Sequence, residues 1–177
     1  AVAWHPEQLF FAVAGEDGLV TVNSMKRTLC TFRGRKRFTS LAWQPRCDLL
    51  AVGCADSTIL LLRMTHELTV AGELRGHSDS INAIAWSPTG DHLLTTSEDH
   101  TARVWDPWTG DQLTVLIGHT GPVNAALWSS EVEVVTGSTD HTVRHWNVSD
   151  GFVRPMSGMA ANHDVAVLIA EARRRLR

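Results

Sequence analysis

Short stretches in which apolar and small or polar residues alternate, separated by turn-forming clusters, fill the first 156 residues of the chain. Ile81 to Trp86 alternates in this way and predicts a strand. Ser87-Pro88-Thr89-Gly90 then predicts a tight turn, because Pro pre-sets the second position and Gly suits the end. Leu93 to Ser97 reads as a second strand, Glu98-Asp99-His100 as a turn, Thr101 to Trp105 as a third strand and Asp111 to Ile117 as a fourth. Four short strands with no helix between them pair antiparallel into one small sheet. Such a sheet cannot bury both its faces alone, so units of this kind stack on one another.

The unit recurs. AVAWHPEQLFFAVAGEDGLVTV, TSLAWQPRCDLLAVGCADSTILLL, NAIAWSPTGDHLLTTSEDHTARVW and NAALWSSEVEVVTGSTDHTVRHW align with one another. Their first tryptophans, Trp4, Trp43, Trp86 and Trp128, are 39, 43 and 42 residues apart, and the aspartates Asp17, Asp56, Asp99 and Asp140 are 39, 43 and 41 apart. The last two units also share Gly76-His77 with Gly118-His119, and Trp105 with Trp146. Self-similarity at this period is the mark of a repeat architecture.

The segment GHSDSINAIAWSPTGDHLLTTSEDHTARVWD, Gly76 to Asp106, resembles a complete WD repeat, and Gly118 to Asn147 is a close second. The resemblance covers roughly residues 1–156 and implies an all-β fold: β-propeller blades of four antiparallel strands around a central channel. About four blades are expected, at 1–32, 33–75, 76–117 and 118–156. The first two are degenerate, with Asn23 and Leu62 in place of the later Trp and Gly34 in place of His. WD propellers commonly close with more blades than this, and the chain opens inside a first strand with Ala1. It is therefore expected to be an incomplete ring, part of a larger propeller or an arc completed by other blades or a second copy. Beyond 156 the repeat ends, and residues 157–177 are expected to form a linker and a short amphipathic basic helix. In that helix Val165, Leu168, Ile169, Ala172 and Leu176 share one face, and the Arg cluster sits in the last turn.

Charge changes this picture in one place. The net charge is −3, from 16 basic and 19 acidic residues. Lys26, Arg27, Arg33, Arg35, Lys36 and Arg37 fall in a window without acids, and Arg173, Arg174, Arg175 and Arg177 end the chain. The remainder holds 6 basic against 19 acidic residues, an acidic body with two basic spots. No apolar run approaches the roughly 18 residues that a membrane span needs, and no membrane partner is expected. The three cysteines, Cys30, Cys47 and Cys54, form no CxxC pair and fit a reducing compartment. The reading is an intracellular chain, cytoplasmic in preference to nuclear.

His77, Ser97 and Asp99 have the composition of a hydrolase triad, but a second copy at His119, Ser138 and Asp140 argues for a structural role. In the resembling family these groups join Trp105 or Trp146 in a hydrogen-bond network that holds the blade together. No catalytic residue is expected, and no small-molecule substrate. No cofactor is expected either, and no metal: His141 and His145 lack HExxH or CxxC company, and His141 falls in a turn. The repeated strand-end tryptophans read as packing between blades. Trp108, in the turn Asp106-Pro107-Trp108-Thr109-Gly110, lies outside the repeat and is a contact candidate.

The resemblance also implies a partner-binding face at one end of the blades. It comprises Arg35, Lys36, Arg37, Thr39, Ser80, Asn82, Glu98, Pro122, Asn124 and Thr139, with Glu16 and Ala55 at the matching turn positions. This gives two functional expectations. One is a non-catalytic protein–protein interaction scaffold; the other is RNA or phospho-ligand binding through the basic loop Arg33 to Arg37.

Overall fold

Among the described residues, sixteen strands make four antiparallel sheets of four strands each, taken in chain order. The structure, a computed structural model, describes residues 1–149 and the backbone of 154–160. The first sheet holds β1 (Val2–Trp4), β2 (Phe10–Ala14), β3 (Leu19–Ser24) and β4 (Thr28–Arg33). The second holds β5 (Phe38–Trp43), β6 (Leu49–Cys54), β7 (Ile59–Met64) and β8 (Leu68–Leu74). The third holds β9 (Ile81–Trp86), β10 (Leu93–Ser97), β11 (Ala102–Trp105) and β12 (Gln112–Leu116). The fourth holds β13 (Val123–Trp128), β14 (Glu133–Ser138), β15 (Thr142–Asn147) and β16 (Arg154–Ala160).

Each sheet is a simple meander whose strands pair in sequence order. The first strands adjoin one another, β1 beside β5, β5 beside β9 and β9 beside β13, so the sheets fan out from an inner row. These are the blades expected from the repeat, and the strand limits in the third agree with the sequence pattern to within a residue. The last strand, β16, runs past residue 156, where the repeat fades. Its place comes from backbone pairing with β15, Thr142 opposite Ala160. The helix expected near the C-terminus lies outside the described residues.

Period two puts alternate residues on opposite faces, and the apolar ones fill the gaps between blades. Between the first and second blades, Phe10, Ala12 and Val22 meet Trp43, Leu50 and Leu62. Between the second and third, Leu49, Ala51 and Leu61 meet Trp86, Leu93 and Trp105. Between the third and fourth, Leu94 and Val104 meet Trp128, Val134 and Trp146. Side chains this size stabilise by about 1.5–3 kcal/mol each when fully buried, so stacking, not strand pairing alone, holds the arc.

Two indoles add a polar link across these gaps. Trp86 Nε1 donates to the Ala42 carbonyl of the preceding blade at 3.0 Å, and Trp128 Nε1 to that of Ala85 at 3.1 Å. Trp43 packs instead on Phe10 and His5, with ring centroids 5.5 and 5.0 Å away, and its Nε1 is buried without a partner.

The turn between second and third strands places one residue in the left-handed region in every blade: Gly18 at φ 76, Ser57 at 71, His100 at 69 and His141 at 64. Glycine is obligatory only at the first. A Cβ on Gly18 would meet the carbonyl oxygens of Gly34 and Lys36 at 2.8 Å, because the connection to the second blade folds back over this turn. His141 therefore belongs to a turn, as expected, and does not share a strand face with His145.

Candidate functional site

The third and fourth blades each contain the same buried hydrogen-bonded relay. Trp105 Nε1 donates to Thr95 Oγ1 at 2.8 Å, and that hydroxyl lies 2.9 Å from His77 Nε2. His77 Nδ1 is 2.8 Å from Asp99 Oδ2, which also accepts from the Ser78 backbone N–H at 3.0 Å. In the fourth blade Trp146, Thr136, His119 and Asp140 are joined at 2.8 Å at each step. Burial holds both imidazoles below the ordinary histidine value although a carboxylate sits beside each. Burial alone would raise Asp99 and Asp140, but hydrogen bonds from histidine, threonine and backbone outweigh it, and both stay well below the usual carboxylate range. The consistent arrangement is a neutral imidazole with its proton on Nδ1, facing the carboxylate. Nε2 then accepts from the threonine hydroxyl, which in turn accepts from the indole.

The hydroxyl in this relay corrects the sequence expectation, which placed Ser97 and Ser138 there. Ser97 Oγ instead donates to the Asp79 carbonyl at 2.9 Å and accepts from the Asp99 N–H at 3.1 Å. Ser138 Oγ does the same with Gly121 and Asp140, at 2.9 and 3.1 Å. Residues 95 and 97 share a strand face, so the pattern admits either. Thr95 lies within reach of the indole, whereas Ser97 sits where the register shifts at the strand end, next to the turn. Both nitrogens of each histidine are occupied and the serine is engaged elsewhere, so the group ties strands together and does not activate a nucleophile.

The first two blades replace the relay as a set. Val13 and Val52 stand at the threonine position and Asn23 and Leu62 at the tryptophan. Replacing hydrogen-bonding partners together by apolar groups, as Val52 and Leu62 do, leaves no orphan and is close to neutral in stability. Asn23 satisfies itself locally, donating to Thr21 Oγ1 and accepting from Thr28 Oγ1, both at 2.8 Å.

Lys36 departs most from its expected role as an open basic residue. Its Nζ donates to Thr58 Oγ1 at 2.8 Å and to Glu73 Oε1 at 2.5 Å, and lies 3.2 Å from Asp56 Oδ2. It thus sits against the same turn aspartate that pairs with histidine in later blades. Burial disfavours its charge, but the hydrogen bonds to Glu73 and Asp56 prevail and its pKa is raised. Glu73 is lowered by its hydrogen bond to Lys36. Lys36→Met is expected to cost about 1–2 kcal/mol, whereas Arg35→Ser should stay within about 0.5. Urea midpoints of the two variants check this; equal midpoints would return Lys36 to the open surface.

Connections between blades (34–37, 75–80, 117–122) and turns between second and third strands (15–18, 55–58, 98–101, 139–141) fall at the same end of the meanders. All ten expected face residues therefore lie at one end. Arg37 Nη2 reaches Glu16 Oε2 of the first blade at 2.8 Å. Asn82 Nδ2 contacts Glu98 Oε1 at 2.9 Å, Asn124 Oδ1 at 2.8 Å and the Val123 carbonyl at 3.1 Å, which joins third and fourth blades. Arg35, Thr39, Asn124 and Thr139 are exposed. Ser80 and Pro122 contribute carbonyls that accept from Glu98 and Thr139 N–H groups, both at 3.0 Å. Among the described residues no carboxylate pairs with Arg33 or Arg35. Trp108, 54% exposed, lies in the turn between β11 and β12, at the opposite end. It is thus separated from the basic loop with which an RNA site would pair it.

A family model described as "WD domain, G-beta repeat" matches residues 26–61, 68–106 and 110–147, well over half the chain. The chain belongs to the WD-repeat family. Each WD match takes the fourth strand of one blade with the first three of the next, so the repeat itself straddles neighbouring blades. Similar proteins include protein tipD of Dictyostelium discoideum, 28% identical over 77% of this chain and 23% of the relative. The probable coatomer subunit beta' of Schizosaccharomyces pombe is 32% identical over 66% of this chain and 15% of its own length. Pre-mRNA-processing factor 19 of Oryza sativa is 27% identical over 88% of this chain and 33% of its own. This WD-repeat chain thus spans a third or less of these relatives. Among its described residues no helix is long and apolar enough to cross a membrane.

Proposed function

We propose that this WD-repeat chain is a non-catalytic docking scaffold whose connecting-loop end receives an acidic segment of a protein partner. The observation that carries the reading is the gathering at one end of Arg33 and Arg35, without carboxylate partners among the described residues, beside the exposed Arg37–Glu16 pair, in a body otherwise acidic. Arg guanidinium groups suit carboxylates through paired, charge-assisted hydrogen bonds. Thr39 and Asn124 extend the surface along the inner strand ends as donors and acceptors for a partner's backbone. Relatives named as a coatomer subunit and as subunit I of a translation initiation factor, the latter 35% identical over 45% of this chain, are components of larger assemblies, which supports a scaffold role.

The RNA alternative loses part of its footing in the engagement of Lys36 by Glu73 and Asp56, which leaves fewer cations for phosphates. The test combines Arg33→Ser, Arg35→Ser and Arg37→Ser in one variant and leaves Lys36 intact. Its melting temperature is expected to match the parent, while proteins captured by the parent from a lysate are lost. An unchanged set of captured proteins would sink this face. Nuclease-sensitive capture with a log-log salt slope near −0.7 per phosphate would establish the RNA reading in its place.

A further inference from the structure

An open cleft of about 350 Å³ lies between the third and fourth blades, at the end remote from the connecting loops. The buried Trp128 and Val104 form its floor, Leu113 and Val132 stand at its mouth, 46% and 42% exposed, and His92 and Glu131 add polar groups. These six residues belong to the third blade or to the first two strands of the fourth and the turn that joins them. The cleft therefore has a blade on each side.

Two positions distinguish this gap from the one before it. The residue just before the one paired with a blade's strand-end Trp faces the Trp of the next blade. Phe10 and Leu49 hold that place in the first two gaps, both buried, whereas the third has His92, half-buried. Its ring stacks on Trp128 with centroids 6.3 Å apart, and Phe10 meets Trp43 at 5.5 Å. On the fourth strand a register shift leaves one residue unpaired, and such a bulge re-aims its side chain. That residue is Ala71 in the second blade and Leu113 in the third. A solitary exposed Leu is ordinary, but Leu113 and Val132 line one cleft.

The turns around the cleft carry one sign. Residues 87–92, 106–111 and 129–133 contain Asp91, Asp106, Asp111, Glu131 and Glu133 and no Lys or Arg. Among the described residues of these two blades, the cation placed at this end is Arg154, which begins β16. Asp91 and Asp111 are exposed, and neither has an ion partner among the described residues. Glu131 is held by the Thr89 N–H at 2.7 Å and by Thr89 Oγ1 at 2.9 Å, uncharged donors that orient its carboxylate without cancelling its charge. We infer that this cleft docks a segment of a partner protein in which a large aliphatic side chain is flanked by Lys or Arg. The aliphatic group seats between Leu113 and Val132 over Trp128, and the cations meet Asp91, Asp111 and Glu131. Trp108, 54% exposed in the turn between Asp106 and Asp111, offers an aromatic face to a further cation. A rim of this sign repels phosphate and steers basic peptides, the opposite preference from the connecting-loop end.

Short random peptides, displayed on phage and selected on the full chain, test this. The enriched peptides are expected to place Lys or Arg beside Leu, Ile or Met, and one of them, made synthetically, should bind less tightly as salt rises. Leu113→Glu should weaken that binding by about tenfold or more, and Asp91→Asn and Asp111→Asn by about two- to fivefold each. All three side chains are exposed, so melting temperatures should match the parent. The combined Arg33→Ser, Arg35→Ser and Arg37→Ser variant should bind the peptide as the parent does, which separates this cleft from the connecting-loop end. Selection of acidic peptides, no enrichment, or binding indifferent to Leu113→Glu overturns the proposal. So does binding that emerges only after Phe152→Ser, because the chain's own next turn would then be the occupant. Self-association of the full chain that Leu113→Glu abolishes overturns it as well, in favour of a second copy.

Discussion

Thr95→Val is expected to lower stability by about 2–4 kcal/mol, because two fully buried groups lose their partner at once. Valine keeps the shape of threonine and removes only the hydroxyl. Trp105, 1% exposed, is then left with an unpaired Nε1–H, and His77, 5% exposed, with an unpaired Nε2. For a chain this size the loss amounts to a fall in Tm on the order of 10 °C. Ser97→Ala provides the comparison. Its Oγ bonds two backbone groups at the turn, the Asp79 carbonyl and the Asp99 N–H, and no indole or imidazole, so a smaller loss of about 1–2 kcal/mol is expected. Thermal melts of both variants decide the matter: a larger loss from Ser97→Ala would put the relay back on the serine. Pairing Thr95→Val with Trp105→Phe adds a second reading. The two should be strongly non-additive, since either removes the same bond.

Acid should weaken the fold in two stages. His77 and His119 are held by burial below the ordinary histidine value, near 6.5. A histidine with a depressed folded pKa takes up protons more readily in the unfolded chain, so its contribution is complete above that value and is lost as pH falls below it. The structural cause lies at Nε2, where a proton would point at a threonine hydroxyl that is already an acceptor for the indole and would strand the hydroxyl's own hydrogen. Asp99 and Asp140, held below 3.8, add a second loss beneath that value, with the same sign. Urea midpoints should therefore be level above about pH 6.5, decline towards pH 4 and then fall more steeply. Midpoints that stay flat from pH 8 to 5 would show that the two imidazoles are not buried neutral. Long-range proton–nitrogen spectra would check the tautomer independently, with the proton on Nδ1 in both rings.

These two effects are concentrated in the third and fourth blades, and the distribution has a physical basis. Those blades are cross-braced by relays, and their interfaces by the Trp86 and Trp128 indoles. In the first two blades Val13, Val52 and Leu62 take relay positions, and the interface between them leaves Trp43 Nε1 unpaired. The first blade has neither the relay nor an indole link to its neighbour. Local opening follows the places where buried contacts are sparse, so backbone exchange should be fastest in β1 and β2.

The sequence by itself determined the blades. Alternation along Ile81 to Trp86 and its counterparts sets which residues face the gaps, and the recurring Asp with a left-handed residue after it sets each turn. Both are local signals whose period the chain carries openly. It also marked the loop end, since meander topology follows from short connections between antiparallel strands. What only the tertiary structure decided was the choice among residues on one face and the fate of individual charges. Thr95 and Ser97 are equivalent to any period-two pattern, and only the position of the Trp105 ring across the sheet selects one. Lys36 reads as one cation in a basic run, but Glu73, 37 residues later on β8, and Asp56 in the next turn converge on it. Such pairings depend on distances of a few ångströms between segments far apart in the chain, and hydrophobic periodicity holds no information at that scale.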